Sequence, residues 1–247
     1  MRSICLLALA VPLLAGPLPA DRARDIIAKV DQLYRSSSSR AEVEMRITTP
    51  NWARTLGIIA WSKGTTKTFI LITDPKKERG TATLRLGSEM WNYLPATDKV
   101  IKIPPSMMMG SWMGSDFNND DLVRESSMLE DYTYRLASPE RPAPGELSVE
   151  MVPTPEAPVV WSKVVLTVRE SDYLPVRQEY YDEKGALMRM ISFKDVRTIG
   201  GKTIPTVMEL VPQNKKGNRT VITYKRAEFD IPLKDDIFSQ RNLKRGN

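Results

Sequence analysis

The sequence predicts a mainly β (α+β) protein: a strongly bent antiparallel sheet, or incomplete β-barrel, with helices covering its concave face. Two patterns carry that expectation. One amphipathic helical stretch near the start is followed by a dozen or so runs with apolar residues at alternate positions, and clusters of turn-forming residues separate the runs. A sheet with one apolar face needs a cover, and the helix supplies one.

The chain opens with Met1-Arg2-Ser3, an apolar stretch from Ile4 to Leu14, and a short tail ending at Pro19-Ala20 before Asp21-Arg22. This is the pattern of a secretory signal peptide over residues 1–20, cleaved after Ala20 to leave residues 21–247 as a single exported domain. The apolar run is shorter than the ~20 residues a membrane-spanning helix needs, and no later segment reaches that length. Ile26, Ile27, Val30, Leu33 and Tyr34 then recur at helical spacing, predicting a helix from about Asp21 to Tyr34 that Ser36 to Ser39 terminate.

From Arg40 the period becomes two. Ala41, Val43, Met45 and Ile47 alternate with charged residues, as in a half-buried strand. Further strands are predicted at Thr55–Ser62, Thr66–Thr73, Thr81–Leu86, Glu89–Leu94 and Lys99–Ile103. The second half repeats the habit at Tyr132–Ala137, Leu147–Val152, Val160–Glu170, Pro175–Tyr181, Leu187–Arg197, Thr203–Leu210 and Thr220–Phe229. Lys63-Gly64, Asp74-Pro75, Gly87-Ser88, Gly200-Gly201 and Asn214 to Asn218 supply the reversals.

Composition narrows the chemistry. The chain has no histidine and one cysteine, Cys5, which lies inside the predicted signal peptide. That removes Cys/His and Ser/His/Asp catalysis and most zinc sites. Cys5 stands near the start of the apolar run, where neither a lipid anchor nor a disulfide is expected. No catalytic residue, cofactor or metal site is assigned, and the protein is read as not an enzyme. Loss of residues 1–20 takes away Arg2 and lowers the formal net charge of +6 by one. The remaining mild excess suits an anionic partner or membrane surface as well as plain solubility. Lys215-Lys216 in a turn is not the basic stripe with interleaved aromatics that nucleic-acid binding requires, so no such partner is expected.

The most informative stretch runs from Ile103 to Leu122. Met107, Met108, Met109 and Met113 stand with Trp112 and Phe117 among glycines and serines, with no sustained period. Methionine is unbranched and polarisable, so clustered methionines make apolar surfaces that adapt to partners of differing shape. Gly110 and Gly114 give the segment freedom to move. Two readings fit: a lid over a greasy cavity, or core filler packed permanently under the helix. Asp116, Asn118 and Asp120 match the first, third and fifth places of a calcium loop, but Asp121 stands where glycine belongs and Ser127 where the bidentate glutamate belongs. A helix capped by Asn118 or Asn119 and running through Asp120 to Val123 explains the same residues. Glu130-Asp131 is the nearest carboxylate pair, but neighbours on a strand face opposite ways. Trp61, Phe69, Trp91 and Tyr93 lie on strands at alternate spacing; they read as core, and in a bent sheet the core face is also the cavity face.

The run Met90-Trp91-Asn92-Tyr93-Leu94-Pro95, then Val100-Ile101-Lys102-Ile103, then Met113-Gly114-Ser115-Asp116-Phe117 leading to Asp120-Asp121-Leu122, strongly resembles the outer-membrane lipoprotein-sorting-like proteins, LolA-like relatives of the periplasmic lipoprotein carrier. The tail from Ile237 to Leu243 also resembles their C-terminal end. The resemblance implies a periplasmic half-barrel whose helices plug the concave side and whose interior binds acyl chains of lipoproteins or free lipid. It further implies an inner-membrane exporter and an outer-membrane acceptor as partners. Met107, Met108, Met109, Trp112, Met113, Trp91, Tyr93, Trp61 and Phe69 are then the expected ligand-binding cavity and lid. The resemblance assigns no interior arginine or lid contact. A non-catalytic docking module of a resistance-nodulation-division type exporter is the other reading, and it would present an exposed apolar patch without an enclosed cavity.

Overall fold

The alternating runs assemble into one sheet. The computed structural model describes residues 19–124, 128–137, 143–157 and 159–244. Residues 1–18 of the predicted signal peptide lie outside them. Helix α1 (Pro19–Tyr34) precedes strands β1 (Ser38–Thr48), β2 (Ala53–Lys63), β3 (Lys67–Asp74), β4 (Ala82–Leu86), β5 (Glu89–Leu94) and β6 (Lys99–Lys102). A long connection carrying α2 (Asn119–Arg124) leads to β7 (Tyr132–Ala137), β8 (Glu146–Pro153), β9 (Lys163–Arg169), β10 (Pro175–Tyr181), β11 (Leu187–Ile199), β12 (Lys202–Pro212) and β13 (Arg219–Phe229), and the short α3 (Gln240–Leu243) closes the chain.

The thirteen strands lie in the order β6-β5-β4-β3-β2-β1-β13-β12-β11-β10-β9-β8-β7. Two up-and-down meanders, β1–β6 and β7–β13, are joined where β1 pairs antiparallel with β13. The strongly bent sheet or incomplete barrel expected from the sequence does not form: the sheet is open and not strongly curled, and its edges are β6 and β7. Closure needs the two edge strands to pair with matched tilt and stagger. Here β6 and β7, consecutive along the chain, are sent to opposite edges. Lys99 and Lys102 on β6 are exposed and guard one edge against further pairing.

Register defines the two faces. On the inner face, Met45 of β1 stands opposite Ile222 of β13, which stands opposite Met208 of β12, which stands opposite Phe193 of β11. Farther along, Leu166 of β9 stands opposite Val149 of β8 and Gln178 of β10. Helix α1 covers one part of this face. Its Ala23, Ile26, Ile27 and Val30 form the i, i+3, i+4, i+7 stripe and are buried against Val149, Met151, Val164, Leu166 and Val168. Lys202 finishes the helix by donating from Nζ to the carbonyl oxygens of Gln32, at 3.2 Å, and Arg35, where a cation meets the negative end of the helix dipole.

The outer face behaves differently in its two halves. Over β2–β5, Trp61, Phe69, Leu71, Ala82, Leu84, Trp91 and Tyr93 are packed beneath Leu233, Ile237, Phe238 and Leu243 of the C-terminal segment. Over β7–β13 it carries cross-strand charge ladders instead, such as Arg135–Glu150–Lys163 and Lys194–Glu209–Arg219.

Candidate functional site

Because β6 and β7 are opposite edges, the chain between them must cross the sheet, and it does so over the inner face. Trp112, Met108, Met113, Phe117 and Leu122 pack on Met45, Ile47, Leu56, Ile58, Ile70, Ile72 and Met90 of β1, β2, β3 and β5. Next, Asp116 accepts a hydrogen bond from the Thr220 hydroxyl on β13 at 2.8 Å. Asp121 then reaches Arg189 on β11, and the Met128 carbonyl accepts from the Tyr134 hydroxyl on β7 at 2.6 Å. The segment is a strap laid across the sheet.

The strap is ordered by its own polar groups. Asn118 Oδ1 accepts from the Asp121 backbone N–H at 2.7 Å while Asp121 Oδ2 accepts from the Asn118 N–H at 2.8 Å, the reciprocal pair of a capping box at the start of α2. Trp112 is 2 % exposed, and its indole N–H donates to Thr83 Oγ1 at 3.1 Å, whose hydroxyl meets Asn92 Oδ1 at 2.7 Å. Gly114 sits at φ +71°, where a side chain is strained, and a Cβ on Gly110 would approach the Met107 carbonyl oxygen to 3.0 Å. Both glycines therefore serve the loop's shape.

Arg189 is a feature of this site that sequence reasoning missed. It is 5 % exposed and holds Asp121 with both ends of its guanidinium fork, at 2.8 and 2.6 Å. Its Cζ lies 4.1 Å from the Tyr180 ring centroid and 4.6 Å from that of Trp161. Burial opposes the charge, but hydrogen bonding to Asp121 and the fields of Tyr180 and Asp121 outweigh it and raise the guanidinium's pKa above its ordinary value. A bidentate pair fixes orientation as well as charge, so this contact locks the angle at which α2 meets β11. The signal was present in the sequence: Leu187, Arg189, Ile191 and Phe193 share one phase of a strand, and arginine is foreign to an apolar phase.

The structure divides the sequence-predicted residues. Met108, Trp112 and Met113 lie together against the inner face, while Met107 and Met109 point outward at 55 % and 45 % exposure. Trp61, Phe69, Trp91 and Tyr93 are on the other side of the sheet, under the C-terminal segment. The nine residues thus do not line one cavity. Strand parity is the reason: Met90 and Ile70 face the strap, so their neighbours Trp91 and Phe69 face away. The apolar surface left between α1 and the strap is made by other residues. Val43, Ala60, Phe193, Met208, Ile222 and Tyr224 are half-buried there, with Tyr34 of α1 stacked on Tyr224 at 5.8 Å. Two surface depressions, of about 330 and 670 Å³, lie beside the polar side of α1 and around Glu42, Val43, Glu44, Gly57, Ile58 and Lys225. Among the described residues no group of three His, Cys, Asp or Glu is placed to hold a metal ion.

Comparison with known proteins agrees with this architecture. A family model described only as "uncharacterized protein" matches residues 64–245. A DUF1329 family protein from Desulfovibrio piger superposes with a TM-score of 0.81 at 28% identity, covering 91% of this chain and 99% of its own. A domain from Vibrio parahaemolyticus described as outer membrane lipoprotein-sorting gives 0.78 at 24% identity, over 92% of this chain and 100% of that one. A LolA superfamily protein from Nitrosomonas europaea gives 0.73 at 24% identity, over 89% and 98%. No curated protein sequence matches. The family model matches most of the chain, so the chain belongs to the family it describes, and the near-complete coverage of these structures shows that it has the fold shared by the DUF1329, lipoprotein-sorting and LolA superfamily proteins they represent.

Proposed function

We propose that this protein is a periplasmic, non-enzymatic carrier, released by cleavage of residues 1–20 as one domain, that holds acyl chains of lipoproteins or other lipids for transfer towards the outer membrane. The observation that carries the reading is the half-buried apolar row of Val43, Ala60, Phe193, Met208, Ile222 and Tyr224, bounded on one side by α1 and on the other by the strap. Each methylene moved from water onto such a surface is worth about 0.8 kcal/mol, so retention needs no catalytic group. Release needs the row to be uncovered. The strap is suited to that because beyond Asp116 few polar contacts tie it down, chiefly the Arg189 fork to Asp121 and the Tyr134 hydroxyl to the Met128 carbonyl, and its underside is adaptable Met108 and Met113. An inner-membrane exporter and an outer-membrane acceptor are the partners such a cycle requires.

Native mass spectrometry of the protein purified from its own periplasm tests this. A bound mass that organic extraction removes supports the carrier, and Asp121→Asn should then raise the off-rate of a bound acyl probe about tenfold or more, since a charged hydrogen-bonded pair contributes about 1.5–3 kcal/mol. The outward-facing Met107 and Met109 favour the second reading, a docking module of a resistance-nodulation-division type exporter. A clean apo mass with no uptake of acyl probes would select it.

A further inference from the structure

One end of the sheet is built differently from the other. The β1–β2 turn presents Trp52 at 45 % exposure, unusual for the largest apolar side chain. The turn is rigid: the Thr49 N–H donates to the Trp52 carbonyl at 2.9 Å, and the Trp52 N–H donates to Thr49 Oγ1 at 3.1 Å. The Arg54 guanidinium carbon lies 5.6 Å from the Trp52 ring centroid. Beside it stands the β12–β13 turn, close enough that a Cβ on Gly217 would come within 3.0 Å of the Pro50 ring. That turn carries Lys215 and Lys216. The β3–β4 turn, linked to Arg54 through Glu78 at 2.7 Å, adds Lys76 and Lys77.

All four lysines are exposed, and none forms an ion pair among the described residues. At the opposite end Lys63 and Lys67 share Asp235, and Lys202 caps α1. An uncommitted cationic rim around a preset tryptophan matches a bilayer interface, where indole sits at headgroup level and lysines meet anionic phosphates.

We propose that this rim, centred on Trp52 and Lys215-Lys216, docks the protein onto the surface of an anionic phospholipid bilayer. The docking stands on the rim alone and holds whether or not the inner face carries an acyl chain. It also sets the geometry: Arg54 donates to the Met113 carbonyl, so the strap's methionine segment is fastened to the docked end.

The test is co-sedimentation of the purified protein with vesicles of phosphatidylethanolamine and phosphatidylglycerol against vesicles of phosphatidylcholine. Binding is expected to the anionic vesicles only and to disappear at high salt. Lys215→Ala with Lys216→Ala should weaken it about thirtyfold, because each lysine near an anionic surface contributes about a fivefold factor. Trp52→Ala should remove the blue shift of tryptophan emission on binding. Lys76→Ala with Lys77→Ala should weaken binding in the same sense, whereas Lys63→Ala with Lys67→Ala at the other end should leave it unchanged. Absence of binding, equal binding to both vesicle types, or equal loss in the Lys63/Lys67 variant would overturn the proposal and turn attention to an acidic protein partner.

Discussion

Strands β2–β5 are buried on two faces and β7–β9 chiefly on one, although both groups belong to the same sheet. In the first group the strap covers the inner face and the C-terminal segment the outer, so Phe69, Ile70, Leu71 and Ile72 are all buried in succession. In the second, α1 covers the inner face, and the outer face keeps polar and charged pairs such as Ser148 with Thr167 and Arg135 with Glu150. The difference teaches that this sheet is stabilised by what is laid on it. An open sheet buries no apolar face by itself, so each region depends on a separate cover, and a cover that can lift is a route to function.

The comparison breaks most readily at Trp112. Trp112→Ala removes a fully buried ring and its hydrogen bond to Thr83, and should cost about 3–5 kcal/mol in denaturant unfolding. A loss under about 1 kcal/mol would show that the strap is not part of the core and moves as a free lid. Next, Ile27→Ala on α1 should cost about 2–5 kcal/mol. Hydrogen exchange should rise in β7–β9 while β2–β5 stays protected; equal loss in both groups would show that the covers are coupled. The smallest effect is expected on the outer charge ladder. The hydrogen bond from Lys194, against a smaller burial effect, holds the Glu209 carboxyl below its ordinary value of 4.5. A depressed carboxylate stabilises the fold above its unfolded value and loses that contribution as pH falls through the folded value. Wild type should therefore lose stability below about pH 4.5 by slightly more than Glu209→Gln does, read as the difference in melting temperature across that window.

Much of this was legible from residues. Every strand-like run corresponds to a strand, because period-two alternation follows from local pleating. The cap at Asn118 was legible too, since its partner Asp121 is three residues away. The curvature was not. Alternation says that one face is buried, and a curled sheet or a flat one under separate covers satisfies it equally. The grouping of Met107, Met108, Met109, Trp112 and Met113 with Trp61, Phe69, Trp91 and Tyr93 failed for a related reason: when both faces of a strand are covered, hydrophobicity no longer marks which one a residue takes.

The sequence by itself determined the elements, their order and the apolar content of the strap, all of which depend on neighbours within a few residues. Only the tertiary structure decided that β6 and β7 part to opposite edges, that the strap must therefore cross the inner face, and that Arg189 meets Asp121 across 68 positions of chain. Such contacts arise from the pairing of β1 with β13, which joins the two meanders. No local pattern encodes that pairing, because its free energy comes from the whole sheet and its covers rather than from any one stretch of residues.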